Sequence, residues 1–321
     1  MKIALSRMWF IPLILSIACQ PAFASEGNTF GGPVGGTDIR NAYLPSASGF
    51  YGGVVAAEGA ATRYYGDNGA QNSAINVNVH LPAAALGLMY VYPFTLWGGT
   101  LASSVQAAYA TGNIELNNRR TEVNGMQDLY SEIIAWSKYL GPIGAMPENA
   151  KPGLPYGLTV KLAYSMLFPT GKYNTTDLIA PGHNVFYFIP NFAFSYLTGP
   201  NLLGDGLELS AHVFLDISST NHTTHYSSGP VGDIDVALSE RMGRWQVGVG
   251  AYYAAQWEDD VRNGTLVAPN GKHLVSAGVG PIIAYDIPAW KASVKLKAQF
   301  PVYQRNYLGA SRFFLIFSKA L

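Results

Sequence analysis

The chain has 321 residues, of which 12% are charged and 13% aromatic, with 35 Gly, 20 Tyr, a single Cys and a formal charge of zero. A soluble domain carries about twice that charge fraction, and a neutral chain offers no field to attract nucleic acid. Beyond the amino-terminal segment no apolar run approaches the roughly 18 residues of a membrane helix, which leaves a transmembrane β-barrel or a secreted β-sandwich of similar composition.

In chain order, "MKIALSRMWFIPLILSIACQPAFASEG" comes first. Lys2 and Arg7 form a basic start, Met8 to Ala18 an apolar core, and Ala22-Phe23-Ala24 a small-residue cleavage site. Residues 1–24 therefore read as a secretory signal peptide. Cys19 lies in "SIAC", a weak lipoprotein-like site with Ser16 where Leu is usual. Cleavage after Ala24 removes the only cysteine, and with it any disulfide or thiol chemistry. Residues 25–48 are Gly-rich and aperiodic, and read either as a disordered tail or as a plug folded into a lumen.

From residue 49 to 321 the chain alternates. In "WQVGVGAYYAAQW", Trp245, Val247, Val249, Ala251, Tyr253, Ala255 and Trp257 share one face. Gln246, Gly248, Gly250, Tyr252, Ala254 and Gln256 share the other. The same period of two, the signature of a strand, recurs in "LELSAHVFLDIS", "DIDVALSERM", "WKASVKLKAQFPV" and "SRFFLIFSKAL". Twelve strands are expected, at 50–65, 82–94, 99–112, 127–140, 157–170, 184–197, 206–218, 231–242, 244–258, 273–286, 290–302 and 311–321. Sandwich strands average about 5–6 residues, whereas these alternate for about 10–13, as tilted membrane strands do. From Trp245 to Trp257 such a strand spans about 28 Å of membrane normal, matching an apolar band about 25 Å tall between aromatic girdles.

The connections alternate as well. "TLWG", "MGR" and "DIPA" are tight, while "TGNIELNNRRTEVNGM", "GKYNTTDLIAPGH", "STNHTTHYSSGP" and "DDVRNGTLVAPNGK" are long and polar. Short periplasmic turns and long external loops are the outer-membrane pattern; "GPIGAMPENAKPGLPYG" is long where a tight turn is due. The fold class is thus all-β, a transmembrane antiparallel β-barrel of about 12 strands (range about 10–14).

Eight stretches in order carry a resemblance: "NAYLPSASGFYGG", "LFPTGKYN", "GHNVFYFIPNFAFSYL", "TNHTTHYSSG", "DIDVALSERM", "VGVGAYYAAQWEDD", "GVGPIIAYD" and "LGASRFFLIF". Together they resemble the meta-pathway phenol-degradation (MetA-pathway) family of outer-membrane transporter barrels. The resemblance implies a barrel and a link to uptake of aromatic or other hydrophobic small molecules, with no catalytic residues. "NHTTHYSSG" departs from the family, which often carries a Pro and an Asp there.

If the apolar register faces lipid, the other lines the lumen. The pore-lining candidates are Lys161, Tyr187, Asn191, Glu208, His212, Asp216, Asp233, Asp235, Gln246, Tyr252, Gln256, Glu258, Lys291, Lys295 and Lys297. Their charges either pair across strands or set selectivity, and Tyr187 and Tyr252 are the candidate stacking faces for aromatic solutes. Phe186, Phe188, Phe192 and Phe194 alternate on the lipid register. At the external rim His222, His225, Asp233, Asp259 and Asp260 could gather to activate water or bind a metal, without a recognisable spacing motif. The expected function is a monomeric channel for passive uptake of small hydrophobic or aromatic compounds, with outer-membrane lipid around it and no cofactor. A closed structural or surface-interaction barrel and a rim hydrolase are the alternatives.

Overall fold

A computed structural model describes residues 26–27, 29–268 and 270–321. The expected signal segment, residues 1–24 with Cys19, lies outside the described residues. The strands are β1 (Gly49–Tyr65), β2 (Val77–Leu96), β3 (Gly99–Leu116), β4 (Arg119–Met126), β5 (Leu129–Gly141), β6 (Gly157–Phe168), β7 (Tyr187–Leu197), β8 (Gly206–Ser218), β9 (Tyr226–Ser227), β10 (Val231–Met242), β11 (Trp245–Gln256), β12 (Val261–Arg262), β13 (Thr265–Leu266), β14 (Val275–Ile287), β15 (Ala292–Arg305) and β16 (Tyr307–Ala320). Short β9, β12 and β13 form a separate sheet in the loops. β4 and β5 both pair with β3 and make one wall strand, interrupted at Gln127–Asp128. Each wall strand pairs antiparallel with its neighbour and β1 pairs with β16, so 12 strands close a barrel with no free edge.

Closure satisfies every wall strand through its neighbours, which is the condition for a sheet to stand in hydrocarbon. The expected registers hold. Val249, Leu296, Leu315 and Leu238 are about half exposed on the outer face, at 52%, 51%, 48% and 50%. Gln246, Lys295, Phe314 and Ser239 alternate with them and are buried. Phe186, Phe188 and Phe192 also face outward. Exposed Trp97, Trp245 and Trp290 mark the end with the tight turns, and Trp257 and Tyr303 the end with the long loops. At the turn joining β2 to β3, Trp97 and Gly98 both have positive φ, 50° and 73°, the backbone of a two-residue hairpin whose twist suits the strands it joins.

Most boundaries fall within four residues of expectation, and two differences are larger. β2 starts at Val77, five residues earlier than the alternation suggests. The stretch 111–126, expected as a loop, is a hairpin in which Leu116 pairs with Arg119 around Asn117–Asn118. Its outward residues Thr111, Asn113, Glu115 and Glu122 are polar because this ladder stands beyond the apolar belt. Pairing persists there while the oily register ends, so the sequence signal vanishes before the strand does.

The interior is two-sided. Inward residues of β1, β2, β3 and β16 are mostly small or apolar, with Gln106 and Arg312 the main exceptions: Val55, Ala57, Val79, Leu81, Ala83, Ala85, Ala108, Ala110, Phe314 and Ile316 form one buried cluster. Inward residues of β6 to β8, β10, β11 and β15 include nearly all the wall's buried charges, among them Lys161, Glu208, Asp235 and Lys295, together with polar Ser195 and Gln246, with apolar Ile189, Phe214 and Ala237 set between them. The apolar half has a sequence counterpart in "GGVVAAEGAA" and "LPAAALGLM", where apolar residues fall on both registers, as in strands with no watery face.

The outer-face assignment predicts that Val249→Arg or Leu296→Arg blocks assembly, since Arg at the bilayer midplane costs about 2–4 kcal/mol. Heat-modifiable gel migration reads this out, with Thr265→Arg in the external loop migrating as wild type does.

Candidate functional site

Residues 29–46 run through the barrel's interior and are almost wholly buried. Their path is set by hydrogen bonds to the polar half of the wall, from the long-loop end down to the turn end. Thr29 Oγ1 meets the Tyr187 hydroxyl at 2.9 Å. Gly32 N donates to Asp216 Oδ2 at 2.7 Å. Asp235 accepts from Gly35 N at 2.7 Å, Thr37 N at 2.8 Å and Thr37 Oγ1 at 2.6 Å. Asp38 lies between Lys295 and Lys297, at 2.5 and 2.9 Å. Arg40 N donates to Glu208 Oε1 at 2.8 Å, and its guanidinium bonds Gln246 Oε1 at 2.5 Å and Asp286 Oδ1 at 2.8 Å. Ala42 N reaches Ser195 Oγ at 3.3 Å, and the Ser137 hydroxyl donates to the Ala42 carbonyl.

The glycines of this segment have a steric cause. A Cβ on Gly31 would lie 2.1 Å from the Tyr187 ring. Gly35 combines φ +65° with a Cβ position 2.7 Å from Tyr252, so only glycine passes there without strain. Lys297 Nζ and Gln299 Nε2 donate to the Gly35 carbonyl, and Arg312 Nη1 donates to that of Val34 at 2.8 Å.

The structure places the pore-lining candidates differently from one another. Tyr187, Glu208, Asp216, Asp235, Gln246, Lys295 and Lys297 are buried and bond the segment. Tyr252 is buried under the Arg312 guanidinium, 5.3 Å from its ring centroid, with Gly35 against it, so its face is covered. Lys161, Asn191, His212, Asp233 and Gln256 are buried in the wall. Lys161 pairs with Glu132 at 3.0 Å, His212 bonds Asn191 at 2.9 Å, and Gln256 bonds Asp260 at 2.8 Å.

Glu258 and Lys291 are corrections. β11 ends at Gln256, so Glu258 is exposed in the loop that leaves the wall. Pro288 opens a short turn that ends at Lys291 with φ 49°, so β15 starts one residue later and Lys291 is exposed beside the turn. The apolar lining of β1 to β3 was not among the candidates, because a polar register opposite an oily one marks a lumen in sequence and an apolar lumen leaves no such mark.

The expected rim cluster takes a different form. His222 and His225 are exposed. Asp259 bonds His273 at 2.6 Å instead. Asp260 is buried and accepts from Tyr226 OH at 2.6 Å, Gly229 N at 3.0 Å and Gln256 Nε2 at 2.8 Å. Burial raises the Asp260 carboxyl above the ordinary carboxylate range. Among the described residues no three His, Cys, Asp or Glu side chains converge as metal ligands. Asp67 ties loops together by accepting from Asn270 at 2.9 Å, Asn306 at 2.9 Å and Arg305 at 3.1 Å.

Two clefts flank the segment near the loop end. One, a narrow cavity of about 40 Å³, is lined by Phe30, Pro33, Gln106, Gln127, Tyr130 and His183. The other, of about 20 Å³, is lined by Thr29, Tyr173, His183, Tyr187 and Tyr226. His183 is common to both, and its Nδ1 is held by Asp128 at 2.8 Å.

A barrel closed around its own amino-terminal segment matches one family model along most of its length. That model, described as "Putative MetA-pathway of phenol degradation", covers residues 63–317. The chain belongs to this family. No curated protein sequence matches it. Among solved structures, the COG4313 outer membrane channel from Pseudomonas putida F1 aligns with a TM-score of 0.70 at 13% identity, covering 89% of this chain and 100% of that one. At that identity the likeness speaks for the fold. The β domain of the Bordetella autotransporter BrkA aligns with a TM-score of 0.46 at 11% identity, covering 86% of this chain and 100% of that one. The TodX deltaS2S3 mutant monoaromatic hydrocarbon channel aligns at 0.39 and 9%, covering 95% and 99%. Both scores are too low to carry weight. For this family member, a closed barrel with an apolar outer face and aromatic belts places the chain in the bacterial outer membrane.

Two outcomes test the site. Lys295→Met with Lys297→Met leaves Asp38 buried without a counter-ion, a loss of about 3–5 kcal/mol, and limited proteolysis should then cut within residues 29–46. The three donors on Asp67 hold its carboxyl down to about 2. That stabilisation is complete above the ordinary carboxylate range of about 4 and is lost as pH falls toward 2. Protection factors in the loop around Asn270, corrected for the intrinsic pH dependence of exchange, should fall over that window and stay level between pH 5 and 8.

Proposed function

We propose that the chain is an outer-membrane channel for passive uptake of small hydrophobic or aromatic compounds, acting as a monomer surrounded by lipid and without a cofactor. The observation that carries this reading is the two-sided lumen. A segment moored by charges to one half of the wall faces a half lined with Ala, Val, Leu and Phe. A water-filled pore would not present that lining, whereas an apolar solute moving between segment and wall loses nothing by leaving water there. Membership in a family tied by its description to phenol degradation agrees, as does the likeness in fold to the COG4313 outer membrane channel.

In this reading residues 1–24 are the signal peptide, 25–48 the plug and 49–321 the barrel. Most of the polar residues picked out as pore-lining serve as mooring points for the plug, and the apolar strands β1 to β3 are the solute path. Solute moves down its gradient as the plug shifts aside, and no step of this needs catalysis. A closed structural barrel is the second reading, favoured by how completely residues 31–42 are buried.

Liposome swelling separates the two. Deleting residues 29–46 should raise the permeation of phenol severalfold over the intact protein, and the intact protein should pass phenol faster than a sugar of similar size. If neither form passes phenol above protein-free liposomes, the barrel is closed.

A further inference from the structure

The segment begins at the external end in a cradle built for a carboxylate. Glu26 Oε1 accepts from the Tyr173 hydroxyl at 3.3 Å, from Asn221 Nδ2 at 3.3 Å and from the Thr224 hydroxyl; Oε2 accepts from the Arg262 guanidinium. These four donors come from three separate loops, at 169–186, 219–230 and 257–274. The cradle is braced from within. Asn221 Nδ2 also bonds the Tyr173 oxygen at 3.0 Å, and Arg262 lies over the Tyr226 ring at 5.1 Å. Burial raises the Tyr173 hydroxyl above its ordinary range, so it stays protonated as a donor. Directly beneath are Thr29, Val185, Tyr187 and Tyr226, which line the smaller cleft.

We propose that this cradle is a receptor site for the carboxylate of a small aromatic acid, and that Glu26 is its built-in occupant, displaced when such a solute arrives. The inference rests on the channel reading and names the substrate class that opens the plug. A benzoate-like carboxylate presents to Arg262, Thr224, Asn221 and Tyr173 the same two oxygens that Glu26 does. Charge-assisted bonds of that kind are about twice as strong as neutral ones. Its ring then meets tyrosine faces where the Glu26 stem lay. A neutral aromatic has no group that competes for Arg262. The segment has its own moorings further down, at Asp235, Glu208 and the Lys295–Lys297 pair, so the Glu26 contact is not needed to hold it in the barrel. Glu26 also lies two residues from the cleavage site after Ala24, so its backbone is tethered on one side only. A tethered competitor acts at an effective concentration on the order of millimolar. The intact protein therefore responds to aromatic acids at that level and above, and removing Glu26 lowers the threshold.

The test uses the full mature barrel in detergent and equilibrium dialysis with radiolabelled benzoate, with benzyl alcohol as the neutral ring. Folding of each variant is checked by heat-modifiable migration. Glu26→Ala should bind benzoate about tenfold more tightly than wild type, with benzyl alcohol unchanged. Glu26→Ala combined with Arg262→Ala should lose that gain. The proposal is overturned if Glu26→Ala binds benzoate no more tightly than wild type, if benzyl alcohol gains equally, or if the gain survives Arg262→Ala. The channel reading fails by another measurement, the absence of phenol permeation through the segment-deleted barrel, so the two failures are told apart.

Discussion

Asp38 sits between Lys295 and Lys297 at 2.5 and 2.9 Å, with all three side chains about 1% exposed. The rest of the interior is arranged around that contact. A charge taken out of water costs several kcal/mol unless it is matched. Here the wall carries two ion pairs of its own, Lys161–Glu132 and Arg241–Glu208, and beyond them cations on β15 and β16 and carboxylates on β8 and β10 that look to the segment. The segment supplies the matching groups in order: backbone amides for Asp216 and Asp235, a carboxylate for the lysines, a guanidinium for Asp286, and carbonyls for Arg312. Barrel and segment therefore form one electrostatic unit. Emptied of its segment, the wall would leave Lys295 and Lys297 without their carboxylate and Asp216 and Asp235 without their amide donors.

That unit divides the lumen by chemistry. On the moored side, glycines let the backbone lie against Tyr187 and Tyr252 closely enough to reach wall carboxylates. On the other side Phe30 and Leu44 rest on the apolar cluster of β1 to β3 through dispersion and burial alone. Contacts of the first kind are directional and costly to leave half made, whereas those of the second tolerate exchange with any apolar body of suitable size. The same strip of chain is thus held firmly along one edge and loosely along the other.

Much of this was legible in the sequence. Every one of the expected wall strands exists, and the outward register from Trp245 to Tyr253 falls where its alternation put it, because a lipid face and a lumen face differ in chemistry at each residue. The signal failed where that difference disappears. The β3–β4 hairpin is polar on its outward face and buries only Ile114 and Val123 inward, too few oily residues to show a register, so it read as a loop. The inner side of β1 and β2 is as apolar as the outer, so its lining escaped notice. Glu258 and Lys291 continue a strand's alternation past its last paired residue, and periodicity does not say where hydrogen bonding stops. The segment 25–48 carries no periodicity because its partners lie on the wall, so its glycines read as well for a tail as for a plug. Its place became clear only once Asp235 and Lys295 were known to face inward on opposite sides of it.

The direction of the segment ties it to the closure of the wall. It enters at the loop end with Glu26, descends past Asp216, Asp235 and Glu208, and joins β1 at the turn end. β1 then seals the wall by pairing with β16, whose last paired residue is close to the carboxyl terminus. The thread precedes the seam in the chain, and only residues 47 and 48 separate the segment from the strand that seals the wall. Any shift of residues 29–46 along the lumen therefore pulls on β1 where it joins β16, which couples the position of the segment to the join that closes the barrel.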